Sequence, residues 1–267
     1  MSGGASLLLT KGSSPRSPGR GLLEERRFPK KMSSQHLTWH DQQQLEIRYT
    51  GNIRGNLERL PYLATLIKKE RQAHPQLLMC DTGSFCGPLE LGPVRGEAQV
   101  KVYNYLQYDA LTPSREDLLD TQQYKRLARL ANFPFLATNW RGLGEGDYYE
   151  RRLIKERQDE KALILGMAHP APFPDNELLS YKEALEWAVE GFDPASTVVV
   201  ILSQLDANQN LALAKEGPFT KIILSGQSTP GLEESMRLGN SLLAPAVPGP
   251  QSLGSLQVKL SGALEIH

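Results

Sequence analysis

Two short polar loops that each contain an arginine follow strand-like segments of the chain. The first loop is residues 50–55, with the sequence TGNIRG, and the second is residues 114–117, with the sequence SRED. A guanidinium group binds phosphate or carboxylate through a fork of N–H donors, and it offers no lone pair to a metal cation. The loops therefore predict an anion-binding site at Arg54 and Arg115, if the fold brings the two together. The alternative is that both arginines pair internally with Glu116, Asp117 or Asp81.

The segments that must position these loops alternate between strand and helix patterns. Strands are predicted at residues 45–49, 76–80, 109–111, 133–136, 196–203 and 221–224, and helices at 57–71, 97–106, 118–131, 181–189 and 208–216. The first helix is predicted to bury one apolar face, formed by Leu57, Leu60, Leu63, Ala64 and Ile67. Residues 149–156 and 161–166 favour a hairpin across Gln158 and Asp159, and residues 241–266 favour further strands. This order indicates a layered α/β domain with more than one sheet.

Six segments, in chain order, resemble the landmarks of the 5′-nucleotidase (UshA-like) metallophosphoesterases. Residues 50–55 match the motif T-N-D-x-H-G, residues 81–84 match D-A-G-D, and residues 108–112 match Y-D-A-V-T followed by G-N-H-[DE] at 114–117. Residues 132–139 match N-F-P-F-L-S-A-N, 203–206 match S-H-L-G, and 226–229 match G-H-S-H. The resemblance covers residues 45–262 and implies a four-layer α/β/β/α sandwich. It corresponds to the N-terminal domain of full-length relatives only, as a single domain over 42–267 behind a flexible tail over 1–41.

The departures from this family fall on the positions that hold its two metal ions. Asn52 stands at an aspartate, Arg54 at a histidine, Ser84 at the bridging aspartate, Arg115 at an asparagine and Glu116 at the catalytic histidine, while Gln204 and Gln227 replace further histidines. The resemblance therefore implies a catalytically degenerate protein, with no catalytic residue, metal or other cofactor expected. We expect the former metal cleft to bind an anionic small molecule or a protein partner. Its candidate residues are Arg54, Arg115, Asn52, Ser84, Glu116, Gln204 and Gln227.

Two other functions remain open from the sequence. The first is a phosphoesterase with an altered, mononuclear site built from Asn52, Asp81, Glu116, Asp117 and Asp206. The second is thiol redox chemistry at Cys86, because neighbouring arginines would lower the pKa of its thiol. Cys80 could form a disulfide with it, although a small core residue is the simpler interpretation. His169 follows a predicted buried strand and could reach the rim of the cleft.

Composition limits the classes of partner and the cellular location. The 267 residues contain 30 Lys and Arg against 30 Asp and Glu, so no overall charge favours nucleic acid or an anionic membrane. Two cysteines are too few for a disulfide framework, and no apolar run approaches the roughly 18 residues of a membrane span. A secretory signal is not evident, which favours a cytoplasmic protein although relatives are often exported. Met32 is an alternative start, and His36 and His40 in the tail are expected to be incidental.

Overall fold

The computed structural model describes residues 44–88, 94–157, 160–170, 172–173, 175–228 and 231–259. The predicted tail over 1–41, the alternative start at Met32 and the histidines of the tail lie outside these residues. So does the predicted turn at Gln158 and Asp159. Within the described ranges, no helix is long and apolar enough to cross a membrane.

The first sheet has four strands in the order β12-β1-β2-β3. These strands are β1 (Gln44–Thr50), β2 (Leu78–Asp81), β3 (Ala110–Leu111) and β12 (Gly254–Lys259). Strands β1, β2 and β3 are parallel, and β12 runs antiparallel to β1. The helices α1 (Leu60–Ala73), α2 (Glu97–Tyr105) and α3 (Thr121–Leu130) connect the parallel strands or follow them.

The second sheet has six strands in the order β10-β11-β9-β8-β6-β5. Its strands are β5 (Leu153–Arg157), β6 (Glu160–Met167), β8 (Thr197–Ser203), β9 (Thr220–Ser225), β10 (Met236–Leu238) and β11 (Ser241–Ala244). Helices α4 (Tyr181–Val189) and α5 (Ala207–Lys215) follow β6 and β8 along the chain, and both begin with a capping box. A separate pair of short strands, β4 (Trp140–Arg141) and β7 (Glu177–Leu178), is antiparallel.

Three apolar layers separate the two sheets and the helices on their outer faces. Strand β8 shows the arrangement, because its alternate side chains face opposite ways. Val198, Val200 and Leu202 belong to the layer between the two sheets, whereas Val199 and Ile201 pack with α4 and α5. A third layer joins α1, α2 and α3 to the first sheet. The result is the predicted α/β/β/α arrangement, and the run of β-branched residues in β8 is explained by burial on both faces.

Two sequence-based predictions are wrong, the start of helix α1 and a strand at residues 133–136. Helix α1 starts at Leu60 rather than residue 57, with Pro61 in its first turn, where proline needs no N–H partner. Leu57 therefore lies before the helix and is exposed instead of sharing its buried face. Residues 133–136, predicted as a strand, make only isolated bridges through Phe135 and Leu136.

Candidate functional site

The loops that follow the parallel strands of both sheets meet at one edge of the sandwich. The Asn52 amide donates to the backbone oxygen of Val247 at 2.9 Å and to that of Gly226 at 3.4 Å. The Gln204 amide, just after β8, donates to the backbone oxygen of Thr82, just after β2. These contacts close the edge between the sheets, which is where ligands bind in open α/β structures. We refer to this edge, with Asn52, Arg54, Ser84, Arg115, Glu116, His169, Gln204 and Gln227, as the cleft.

The backbone of the cleft is strained at three of the candidate residues. Asn52, Arg54 and Ser84 have φ values of 56°, 49° and 57°, in the left-handed region that residues other than glycine seldom adopt. Backbone hydrogen bonds hold them there: the N–H of Asn52 donates to Gly83 and that of Arg54 donates to Ser84, at 3.0 and 2.8 Å. Such strain persists where the surrounding structure over-determines it, and it clusters at ligand sites.

Two buried aspartates, Asp81 and Asp117, hold the loops of the cleft through hydrogen bonds. Asp81 accepts hydrogen bonds from the Thr50 hydroxyl at 2.6 Å, the Gly83 N–H at 2.7 Å and the Tyr103 hydroxyl at 2.8 Å. Burial nevertheless raises the pKa of Asp81 to about 6.

Asp117 joins the loop after β2 to the loop after β3. It accepts the backbone N–H groups of Ser84, Cys86 and Ser114 at 2.8, 2.9 and 3.0 Å. Burial raises its pKa above the usual range, against the effect of these bonds. Both aspartates thus use their oxygens on internal donors and shape the loops rather than face a ligand.

Glu116 is the carboxylate that remains at the surface of the cleft. Its Oε2 accepts the hydroxyls of Ser114 and Ser84 at 3.0 and 3.3 Å. Burial acts to raise the pKa of Glu116, but hydrogen bonds from its own N–H, Ser114 and Ser84, with the charge of Arg54, lower it overall. Glu116 is therefore ionised at neutral pH.

Arg54 and Arg115, which are both exposed, lie on the loop after β1 and the loop after β3. Neither guanidinium forms an ion pair with a carboxylate in the part of the chain that the structure describes. The field of Arg54 nevertheless acts on Glu116, and that of Arg115 acts on His169. Direct ion pairing with Glu116, Asp117 or Asp81 is not what the structure shows, and both side chains are exposed.

Three amide side chains of the cleft, those of Asn52, Gln204 and Gln227, donate hydrogen bonds to backbone oxygens. Besides the contacts of Asn52 and Gln204, the Gln227 amide donates to the backbone oxygen of Gln204 at 2.8 Å and lies 3.1 Å from Nε2 of His169. Burial lowers the pKa of His169; the charge of Glu116 opposes this shift and that of Arg115 adds to it. The neutral imidazole is thus favoured, and it lies in the cleft as its sequence position suggested.

Arg95 supports the cleft, and sequence reasoning missed it. The side chain is 2% exposed and donates to the backbone oxygens of Gly87 and Glu116 and, at 3.1 Å, to the Gln123 side chain. It thus binds the loop after β2 to the loop after β3. The sequence carries no signal for this role, because an arginine in a Gly- and Pro-rich loop is normally expected at the surface.

The thiol of Cys86 does not have the lowered pKa that the sequence predicted. Its thiol is buried, and burial, with the nearby charge of Asp117, raises its pKa well above the usual range, against the lowering effect of Arg95. The expectation of a lowered pKa is wrong, because desolvation outweighs the arginine. Cys80 and Cys86 are both free thiols.

The carboxylates named for a mononuclear metal site do not converge on one point. Asp206 is the N-cap of α5 and accepts the N–H of Gln209 at 2.9 Å, while Asp81 and Asp117 are enclosed by internal donors. No group of three or more His, Cys, Asp or Glu side chains suited to a metal ion occurs among the described residues.

Solved structures of phosphoesterases share this fold. NAD nucleotidase (NadN) of Haemophilus influenzae superposes with a TM-score of 0.68 at 14% identity, covering 84% of this chain and 49% of its own. The 5′-nucleotidase precursor of Thermus thermophilus gives 0.67 at 18% identity, with 84% and 53% covered. The calcineurin-like phosphoesterase YfkN of Bacillus subtilis gives 0.60 at 18% identity, with 82% and 86% covered.

These comparisons confirm the predicted fold class. The chain spans about half the length of the first two structures. No protein-family model matches the chain, and no curated protein matches it either.

Proposed function

We propose that this protein is a phosphoesterase-fold binding module, which holds an anionic ligand in the cleft and does not hydrolyse it. The proposal rests on two exposed arginines, Arg54 and Arg115, whose loops are held by hydrogen bonds to the buried Asp81 and Asp117. Guanidinium groups with N–H donors facing solvent can bind phosphate or carboxylate without loss of an existing ion pair. Strain at Arg54 itself, with φ of 49°, supports a ligand-binding role for this loop.

The chemistry of the donor set argues against the dinuclear metal centre of this fold. A divalent cation needs anionic oxygens or neutral imidazole nitrogens. The cleft instead presents two guanidinium groups, and its amides direct N–H donors at backbone oxygens. Glu116 and His169 remain as two ligand types, and Arg54 and Arg115 place positive charge beside them. The residues present do not fit two cations.

A cavity of about 420 Å³ borders the cleft and extends the surface available to a ligand. Val247 belongs to both, because it lines the cavity and its backbone oxygen accepts the Asn52 amide. Tyr49, Leu232 and Leu253 supply apolar walls. Because Glu233 also lines the cavity, a ligand would place its apolar part there and its anionic group at the arginines.

Calorimetric titration with inorganic phosphate and with phenyl phosphate tests the proposal. We expect both anions to bind, with phenyl phosphate binding more tightly. At the cleft, the double variant Arg54→Ala/Arg115→Ala should bind each anion at least tenfold more weakly, since a hydrogen bond to a charged group contributes about 1.5–3 kcal/mol. Arg126→Ala is the matched control, because Arg126 is an exposed arginine on α3 that pairs with Glu97 at 3.1 Å.

Two outcomes would contradict the proposal. One is a titration in which the double variant loses neither a binding site nor affinity at any site. The other is turnover of phenyl phosphate by the purified protein, which would favour the alternative of a phosphoesterase with an altered site.

A further inference from the structure

A second polar cavity lies at the opposite end of the first sheet from the cleft. Its volume is about 450 Å³, within the range of small-molecule sites. Leu78 at the start of β2, Asp109 just before β3, and Phe133 line it, together with Arg71 of α1 and Lys155 of β5. The cleft begins beyond Asp81, at the other end of β2, so the two sites share no lining residue among those described.

Two cations flank one carboxylate in this cavity. Asp109 Oδ1 lies 2.9 Å from Nζ of Lys155, and Asp109 Oδ2 lies 3.8 Å from Nη2 of Arg71. Asp109 Oδ2 also accepts the backbone N–H of Met79 at 2.8 Å. The three side chains carry a net charge of +1, and the carboxylate that offsets part of it is already fixed to β2.

Both cations retain donors that no described residue uses. The side chain of Lys155 is 8% exposed, and its ammonium, which has three N–H donors, has Asp109 as its one partner in the described ranges. Arg71 donates Nε and Nη2 to the backbone oxygens of Leu106 and Gln107, and its Nη1 has no partner among the described residues. A buried ammonium with two unused donors is unfavourable unless acceptors reach it.

We propose that this cavity is a second ligand site, which binds the anionic oxygen group of a small metabolite, a carboxylate or a phosphate, between Lys155 and Arg71. The remaining positive charge selects an anion, and the two sets of unused N–H donors provide a two-point contact for its oxygens. The apolar side chains of Leu78 and Phe133 cover the rest of the ligand. Burial of Lys155 strengthens the interaction, because solvent screens it less than a surface charge.

The test is calorimetric titration of the full chain with succinate and, separately, with inorganic phosphate at constant ionic strength. Both anions are titrated into Arg54→Ala/Arg115→Ala, in which binding at the cleft is weakened. One of the two anions should still bind, and adding Lys155→Met should weaken that binding at least tenfold. The anion that shows this pattern identifies the group as carboxylate or phosphate. No binding of either anion to Arg54→Ala/Arg115→Ala, or binding that Lys155→Met leaves unchanged, would overturn the proposal.

A second variant and a second readout protect the test against misfolding of Lys155→Met. Lys155→Met/Asp109→Asn removes both charges together, and the amide carbonyl introduced at position 109 still accepts the Met79 N–H. In Arg54→Ala/Arg115→Ala, the bound anion should also slow amide hydrogen exchange over residues 104–109 and leave residues 82–86 of the cleft unchanged. Equal slowing in both segments, or in neither, would contradict a separate site.

Discussion

Gln227 determines which nitrogen of His169 carries the proton. The Gln227 amide nitrogen donates to the backbone oxygen of Gln204 at 2.8 Å, which fixes the orientation of the amide. The same nitrogen lies 3.1 Å from Nε2 of His169. Since the amide group has only donors to offer there, Nε2 must accept, and the proton of the neutral ring is on Nδ1. Protonation of Nε2 would set two donors against each other, in addition to the burial that lowers the pKa of His169.

Replacing Gln227 with glutamate should reverse the pKa shift of His169. A carboxylate accepts from Nε2–H and favours the imidazolium form, so the pKa of His169 should rise above that in the wild type. NMR titration of the imidazole signals measures this directly. Asn208→Asp, an exposed change of the same kind on α5, is the control and should leave His169 unaffected. An unchanged titration of His169 in Gln227→Glu would mean that the two side chains do not interact in solution.

Asp81 should make the folded state less stable as the pH rises from about 4 to 6. Its folded pKa is about 6, above the ordinary value of 3.8, so the folded state binds more protons than the unfolded state in this window. The contribution of Asp81 to the free energy of unfolding is therefore largest below pH 3.8, and it is lost as the pH rises through 6. This pKa shift corresponds to a loss of roughly 3 kcal/mol in the free energy of unfolding over that pH range.

The variant Asp81→Asn isolates this contribution. Its amide can donate to the Thr50 and Tyr103 hydroxyls, and its carbonyl can accept from Gly83. Urea unfolding at several pH values should show that the stability of Asp81→Asn relative to the wild type increases between about pH 4 and 6. The difference between the two proteins is the informative quantity, because Asp117 also has a raised pKa and titrates in both. Parallel pH profiles would contradict the assignment.

Loss of Arg95 should destabilise the protein by about 3 kcal/mol, because Arg95→Met leaves the backbone oxygens of Gly87 and Glu116 and the Gln123 side chain without their donor. Urea unfolding measures the change. Arg126→Met, at the exposed arginine of α3, should change stability by less than about 0.5 kcal/mol. A similar small effect at both positions would show that Arg95 does not hold the two loops together.

Cys86 should resist thiol reagents in the native protein. Its burial and raised pKa leave little thiolate at neutral pH. Labelling with a chromogenic disulfide reagent at neutral pH should proceed for Cys80 and Cys86 only at the rate of unfolding, and rapidly in denaturant. Fast labelling of Cys86 in the native state would restore the redox alternative.

Sequence reasoning located the layers well, because local patterns determine them. The β-branched run of β8, for example, predicts a buried strand without tertiary information. Sequence reasoning could not supply the contacts that depend on distant segments. Apolar spacing predicts Leu57 on the buried face of α1, but the helix begins only at Leu60, with Pro61 in its first turn. No local feature of the sequence indicates that Arg95 is buried. The pKa of Cys86 depends on how deeply the loop packs, which no spacing of charges reveals.

Metal analysis together with a phosphatase assay decides whether the cleft lacks metal-dependent hydrolysis. The protein is purified without chelator, analysed for Mn, Zn, Fe, Ca and Mg, and assayed with p-nitrophenyl phosphate. We predict substoichiometric metal and no turnover above buffer, with or without added Mn²⁺. Two metal ions per chain together with turnover that EDTA abolishes would contradict the claim and establish a working phosphoesterase.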